Sequence, residues 1–127
     1  MDESERYAAG LKVRKQVLGE AHVERSLATR TAFNEEFQEL ITRYAWGEIW
    51  TRPGLPQETR RFLVLGITAG MSRWEEFRLH MRAALEGGVP PEQLKEVLLQ
   101  IAVYAGVPAA NTGFHIAREL MTELGIE

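Results

Sequence analysis

The chain has 127 residues, 45% of them hydrophobic, enough for one compact core and too few for two domains of typical size. A formal charge of −3 and the absence of any lysine-rich run leave no basic field to neutralise phosphates, so nucleic acid is not an expected partner. Without cysteine there is no disulfide, no thiolate metal site and no thiol redox chemistry. Neither a signal peptide nor an apolar run of about 18 residues is present, and a soluble, cytoplasmic protein with no membrane partner is expected.

Hydrophobic periodicity is helical throughout and no alternating run argues for a strand, which predicts an all-α fold. A first, polar and peripheral helix is expected from about Glu3 to Leu18, stopping at Gly19. A connector follows around His22 to Arg30. Thr31 is placed to cap a helix whose buried face reads Phe33, Phe37, Leu40, Ile41 and Tyr44, with Glu35 and Glu36 near its positive end. That helix is expected to give way at Trp46 to Trp50, and the segment from Thr51 to Pro56 reads as a turn. From Gln57 to Met71, Phe62, Leu63, Val64, Leu65 and Ile67 put apolar surface on nearly every side, which predicts a central helix or an oligomer interface. The next helix is expected from a Ser72 cap to the Gly87 and Gly88 stop. Pro90 and Pro91 open another, with Leu94, Val97, Leu98, Ile101 and Ala102 as its stripe. Gly106 and Pro108 separate it from a last helix ending near Gly125. The whole chain, 1–127, reads as a single domain, with 1–30 peripheral and 31–125 as its core.

On the helix starting at Ser72, a rotation of about 100° per residue gathers Trp74, Phe77, Met81, Ala84 and Leu85 on the core face. Arg73, Glu76 and His80 fall together about a quarter turn away, at the margin of the core, with Arg78 and Arg82 on the opposite margin. A carboxylate four residues before an imidazole can orient it and raise its basicity, which suits a His for acid or base work. The same pair on an exposed helix is otherwise an ordinary solvated contact. With only His22, His80 and His115 in the chain, no metal site is expected. His115 reads as an interface or helix-side residue. Of the fifteen basic residues twelve are Arg, whose planar fork suits a small carboxylate, though Arg is also a good helix former.

The block TRRFLVLGITAGMSRWEEFRLHMRAALEGGVPPEQLKEVLLQIAVYAGVPAAN, together with WGEIWTRPGL upstream, resembles the carboxymuconolactone decarboxylase family, over roughly Trp46 to Glu119. The resemblance implies a small antiparallel helical bundle of the alkylhydroperoxidase-D (AhpD) type, of about six helices, assembled as a trimer or hexamer. Peroxidases of that superfamily carry Cys-x-x-Cys-x-x-x-His with an upstream Glu. Here His80 matches the His, whereas Arg73 and Glu76 stand at the two Cys positions and Arg61 at the Glu. A thiol peroxidase is therefore not expected. A cation, a carboxylate and a second cation around one imidazole suit anion binding and proton movement instead.

The activity so implied is decarboxylation of 4-carboxymuconolactone to the 3-oxoadipate enol-lactone in aromatic-acid (protocatechuate) catabolism. The lactone ring accepts the electrons released with CO2, so no cofactor is expected. In this reading His80, oriented by Glu76, protonates the dienolate. Arg60, Arg61 or Arg73 holds carboxylate, Tyr104 donates to the lactone oxygen, and Trp46, Trp50 and Phe77 wall the pocket. Residues such as Trp46 and Trp50 are more often core anchors than ligand platforms, Tyr104 also reads as packing for the last helix, and the small residues of Gly106 to Gly113 as close helix packing. Two other classes stay open: a lyase or isomerase on another small lactone or keto acid, and a helical assembly protein without catalytic activity.

Overall fold

The computed structural model describes residues 1–126, which among them hold helices and turns and no strand. Seven α-helical segments and one π-helical segment succeed one another: α1 (Glu3–Leu18), α2 (Glu20–Ala28), α3 (Glu35–Ile41), the π segment (Thr42–Ile49), α4 (Gln57–Gly70), α5 (Trp74–Glu86), α6 (Pro91–Tyr104) and α7 (Val107–Leu124). The fold is all-α, as the periodicity predicts. Two compact units divide the chain, Met1–Gln57 and the part from Glu58 onward.

In the first unit Asp2 caps α1 by accepting from the Glu5 backbone N–H at 2.8 Å. Gly19 ends the helix at φ 94°, a conformation open to glycine and strained for other residues. The expected connector is in fact helical. Lys15 and Glu24, 2.8 Å apart, tie α2 back onto α1, and no Pro or Gly interrupts residues 20–28. Asn34, not Thr31, precedes α3, and its Oδ1 accepts from the Thr31 N–H at 2.8 Å. The apolar ridge expected to be buried on α3 is exposed: Phe33, Phe37, Leu40 and Tyr44 retain 99%, 59%, 51% and 64% of their surface. Periodicity gives the face but not what covers it.

The helix does not end at Trp46. It widens into the π segment, where Trp50 N–H donates to the Ala45 carbonyl five residues back at 3.0 Å. α1 crosses this segment through two glycines. A Cβ on Gly10 would collide with the Thr42 carbonyl and lie 2.7 Å from Gly47 N, and one on Gly47 would collide with the Arg6 carbonyl. Beside the crossing, buried Arg14 donates to Thr42 Oγ1 at 3.3 Å and to Gln38 Oε1 at 3.2 Å, so its charge is desolvated but hydrogen-bonded. Residues Thr51 to Pro56 form the predicted turn.

The second unit holds a continuous core of Leu65, Phe77, Met81, Leu85, Leu94, Leu98, Ile101, Ile116 and Leu120. Each such side chain contributes about 1.5–3 kcal/mol on burial. α4 turns only Arg61, Leu65 and Ala69 fully inward, and leaves Leu63 and Ile67 about half exposed. Ser72 does not cap α5. It sits at φ 57°, and Arg73 N–H donates to the Thr68 carbonyl at 2.7 Å, so Arg73 takes the cap position and the helix starts one residue later, at Trp74. Gly88 at φ 88° and Pro91 in the first turn of α6 make the predicted stop and start. Gly106 at φ 108° separates α6 from α7. Gly113 admits α6 to close range, since a Cβ there would lie 2.6 Å from Leu98 Cδ2 and 3.2 Å from Phe77 Cζ.

Candidate active site

α5 is amphipathic, and its rotation sorts the predicted site residues. Phe77, Met81, Ala84 and Leu85 face the core, as the helical wheel predicts, with Trp74 edge-on to Phe77 at a centroid distance of 5.2 Å. His80 is carried inward with them and keeps 8% of its surface. Glu76, one turn earlier, and Arg73, at the cap, are exposed. The three do not form a uniform row at the core margin, because the late start of α5 puts Arg73 outside the helix. The imidazole is thus screened from bulk water while its prospective carboxylate partner stands in it.

Arg60 and Arg61 lie next to each other on α4 and diverge in environment: Arg61 is buried to 8% exposure and Arg60 is intermediate. The Arg61 guanidinium runs to the end of α5, where a Cβ on Gly87 would meet Arg61 Nη2 at 3.3 Å and the Ala83 carbonyl at 3.0 Å. The last turn of a helix concentrates carbonyl dipoles that favour a cation. Burial pushes the Arg61 pKa down from its ordinary value, and the nearby Glu58 charge opposes the shift. A guanidinium remains charged at neutral pH even so. A desolvated cation and a desolvated imidazole are therefore both present in the second unit, the former braced against the helix that carries the latter.

The remaining predicted residues are placed differently. Tyr104, at the end of α6, is 83% exposed and borders an apolar groove of about 530 Å³ with Phe62, Leu63, Ile67 and Val97. Trp46 and Trp50 belong to the first unit, where the π segment stacks their rings 4.9 Å apart at 27°. Trp46 is buried and Trp50 half-buried. No three His, Asp or Glu side chains gather to hold a metal ion among the described residues.

Helical wheels of single elements do not reveal how α5 and α7 lock together. Arg78 donates to Glu119 at 2.8 Å and Arg82 to Glu123 at 2.5 Å, two parallel rungs one helical turn apart. The matched spacing of 78/82 and 119/123 is the signal that could have found them.

Helices without a strand among the described residues, in a chain that has no cysteine, make an AhpD-like helical fold. Residues 35–119 match the carboxymuconolactone decarboxylase family, and the chain belongs to that family. It is 46% identical to a 4-carboxymuconolactone decarboxylase of Acinetobacter baylyi over 126 residues, 99% of this chain and 94% of that one. It is 40% identical over 115 residues to a nitrosuccinic acid decarboxylase of Metarhizium robertsii, covering 91% of this chain and 80% of the relative. A 4-carboxymuconolactone decarboxylase sequence of Pseudomonas putida is 58% identical over 48 residues, its whole length and 38% of this chain.

Proposed function

We propose that this protein is a carboxy-lyase that decarboxylates 4-carboxymuconolactone to the 3-oxoadipate enol-lactone and CO2. The observation that carries this is the 46% identity to the Acinetobacter decarboxylase along nearly the full length of both chains. The two units are spanned together by that similarity, which supports reading 1–127 as one domain of the family.

The chemistry asks little beyond what these side chains can supply. Departure of CO2 sends its electron pair through the ring double bond to the lactone carbonyl, forming a dienolate. A proton then adds to the ring carbon beside the carbonyl. His80 is the proton donor in this reading, sheltered enough that its proton is delivered to substrate rather than exchanged with bulk water. Glu76, one turn earlier on α5, is the residue that orients it. Arg61 holds a substrate carboxylate with its fork, and its brace against α5 fixes that fork relative to His80. Arg60 and Arg73 are the other carboxylate holders, and Tyr104 donates to the lactone oxygen. Because the ring is the electron sink, the reaction needs no cofactor.

Self-association belongs to the same proposal. The exposed ridge Phe33, Phe37, Leu40 and Tyr44, and the groove beside Leu63 and Ile67, are apolar surfaces of the kind that a trimer or hexamer covers. No described helix is long and apolar enough to cross a membrane; a small anionic substrate and work in the cytoplasm belong to the proposed activity. Metal-stripped protein given 4-carboxymuconolactone should release CO2 at a rate that chelators do not change. A substrate panel that includes nitrosuccinic acid and related lactones then decides the substrate. Preference for another acid would transfer the activity to that acid, and no CO2 from any of them would end the proposal.

A further inference from the structure

We propose that the groove between α6 and α7 is a second binding site, for a small carboxylate attached to an apolar ring. It encloses about 550 Å³, within the size range of small-molecule sites, and none of the residues assigned above to the decarboxylase reaction lines it. Its composition is divided in a way that a ligand of mixed character would match. Leu94 and Leu98 of α6 face Phe114 and Met121 of α7 across an apolar floor. Along one edge, Asn111, His115 and Arg118 stand at i, i+4 and i+7 on α7, a single polar stripe beside that floor.

Charge bookkeeping on the rim selects an anion. Lys95 is held by Glu92 at 2.9 Å, and Glu119 is engaged by Arg78 at 2.8 Å and stands 3.8 Å from His115 Nε2, so neither acid neutralises Arg118 and the His115 ring shares its charge partner with Arg78. Arg118 is exposed at the groove, with the Asn111 amide and the His115 ring as further donors on the same stripe. A guanidinium fork next to a leucine and phenylalanine floor recognises a carboxylate on a ring better than a neutral or purely apolar molecule. The sequence segment Gly106 to Gly113 acquires a role here beyond close packing: Gly113 brings α7 onto Leu98, which sets the depth of the floor.

The test uses the full chain with benzoate as probe and benzyl alcohol as its neutral counterpart, followed by amide chemical shifts. Saturable benzoate shifts should map to Leu94, Leu98, Phe114 and Arg118. Benzyl alcohol, and benzoate with Arg118→Gln, should bind roughly tenfold more weakly or worse, the loss expected for one charged hydrogen bond. Phe114→Ala should weaken both probes alike. Decarboxylase turnover of Arg118→Gln should equal that of the parent chain, which keeps this test independent of the activity proposed above. Equal affinity for the two probes, shifts confined to residues around His80, or no effect of Arg118→Gln would overturn the assignment. So would a change of oligomeric state in Arg118→Glu, which would give the groove to a second copy of the chain.

Discussion

Arg61 shows how one residue joins stability to chemistry. Its burial desolvates a charge, a cost offset by the dipoles at the end of α5, and in the proposed reaction its fork holds a substrate carboxylate. Arg61→Lys keeps the charge and loses the fork, so the Michaelis constant for the lactone should rise about tenfold with turnover little changed. Unchanged saturation kinetics would move the carboxylate clamp to Arg60. Gly113 sits at the other extreme, acting by steric contact and by no chemistry of its own. Gly113→Ala should destabilise the protein by about 1–3 kcal/mol in denaturant titration, because its methyl would press on Leu98 and Phe77. A neutral result would mean that α6 and α7 can separate without loss. At this scale the periodicity puts His80 at the margin of the core, and the structure carries it further in, beside Phe77, Met81 and Ala84. The sequence was misleading about Arg73, whose position depends on the backbone turn at Ser72, a conformation that no residue pattern announces.

Elements were legible where glycine and proline punctuate the chain. Gly19, Gly87 and Gly88, Pro90 and Pro91, and Gly106 each mark a helix boundary close to where the structure has it. Legibility failed where polar residues with fair helix propensity carry no breaker, as in α2, and where hydrogen bonds shift register, as in the π segment. The α5 and α7 pairing is a property of two elements and was invisible in either. Its rungs hold the Glu119 carboxyl below its usual range, chiefly through the hydrogen bond from Arg78. A carboxyl with a depressed folded-state pKa contributes stability above its unfolded pKa and loses it as pH falls through the folded value. Glu119→Gln should therefore lose a small amount of stability at neutral pH, as befits an exposed pair, and none at pH below the folded value, so that its acid limb is shallower than the parent's. An identical acid limb in the variant would show that the rungs are ornamental.

For the whole molecule, the difference between expectation and structure lies in what is covered. Periodicity assigned Phe33, Phe37, Leu40 and Tyr44 to a core, and a single chain leaves them exposed. Apolar ridges of this size are retained when another surface covers them. Phe37→Glu should lower the molar mass seen by light scattering if that surface belongs to another copy, and an unchanged mass would assign the ridge elsewhere. The fold and family thus lie within reach of sequence pattern and motif. Assembly does not, because the partner of an exposed face is not written in that face.

The most direct measurement is turnover of 4-carboxymuconolactone by His80→Ala at saturating substrate, with helicity and melting checked against the parent chain. Removal of the proton donor should lower turnover by about 10² to 10⁴ while the fold persists. Near-normal CO2 release from the folded variant would contradict the assignment of proton delivery to that imidazole.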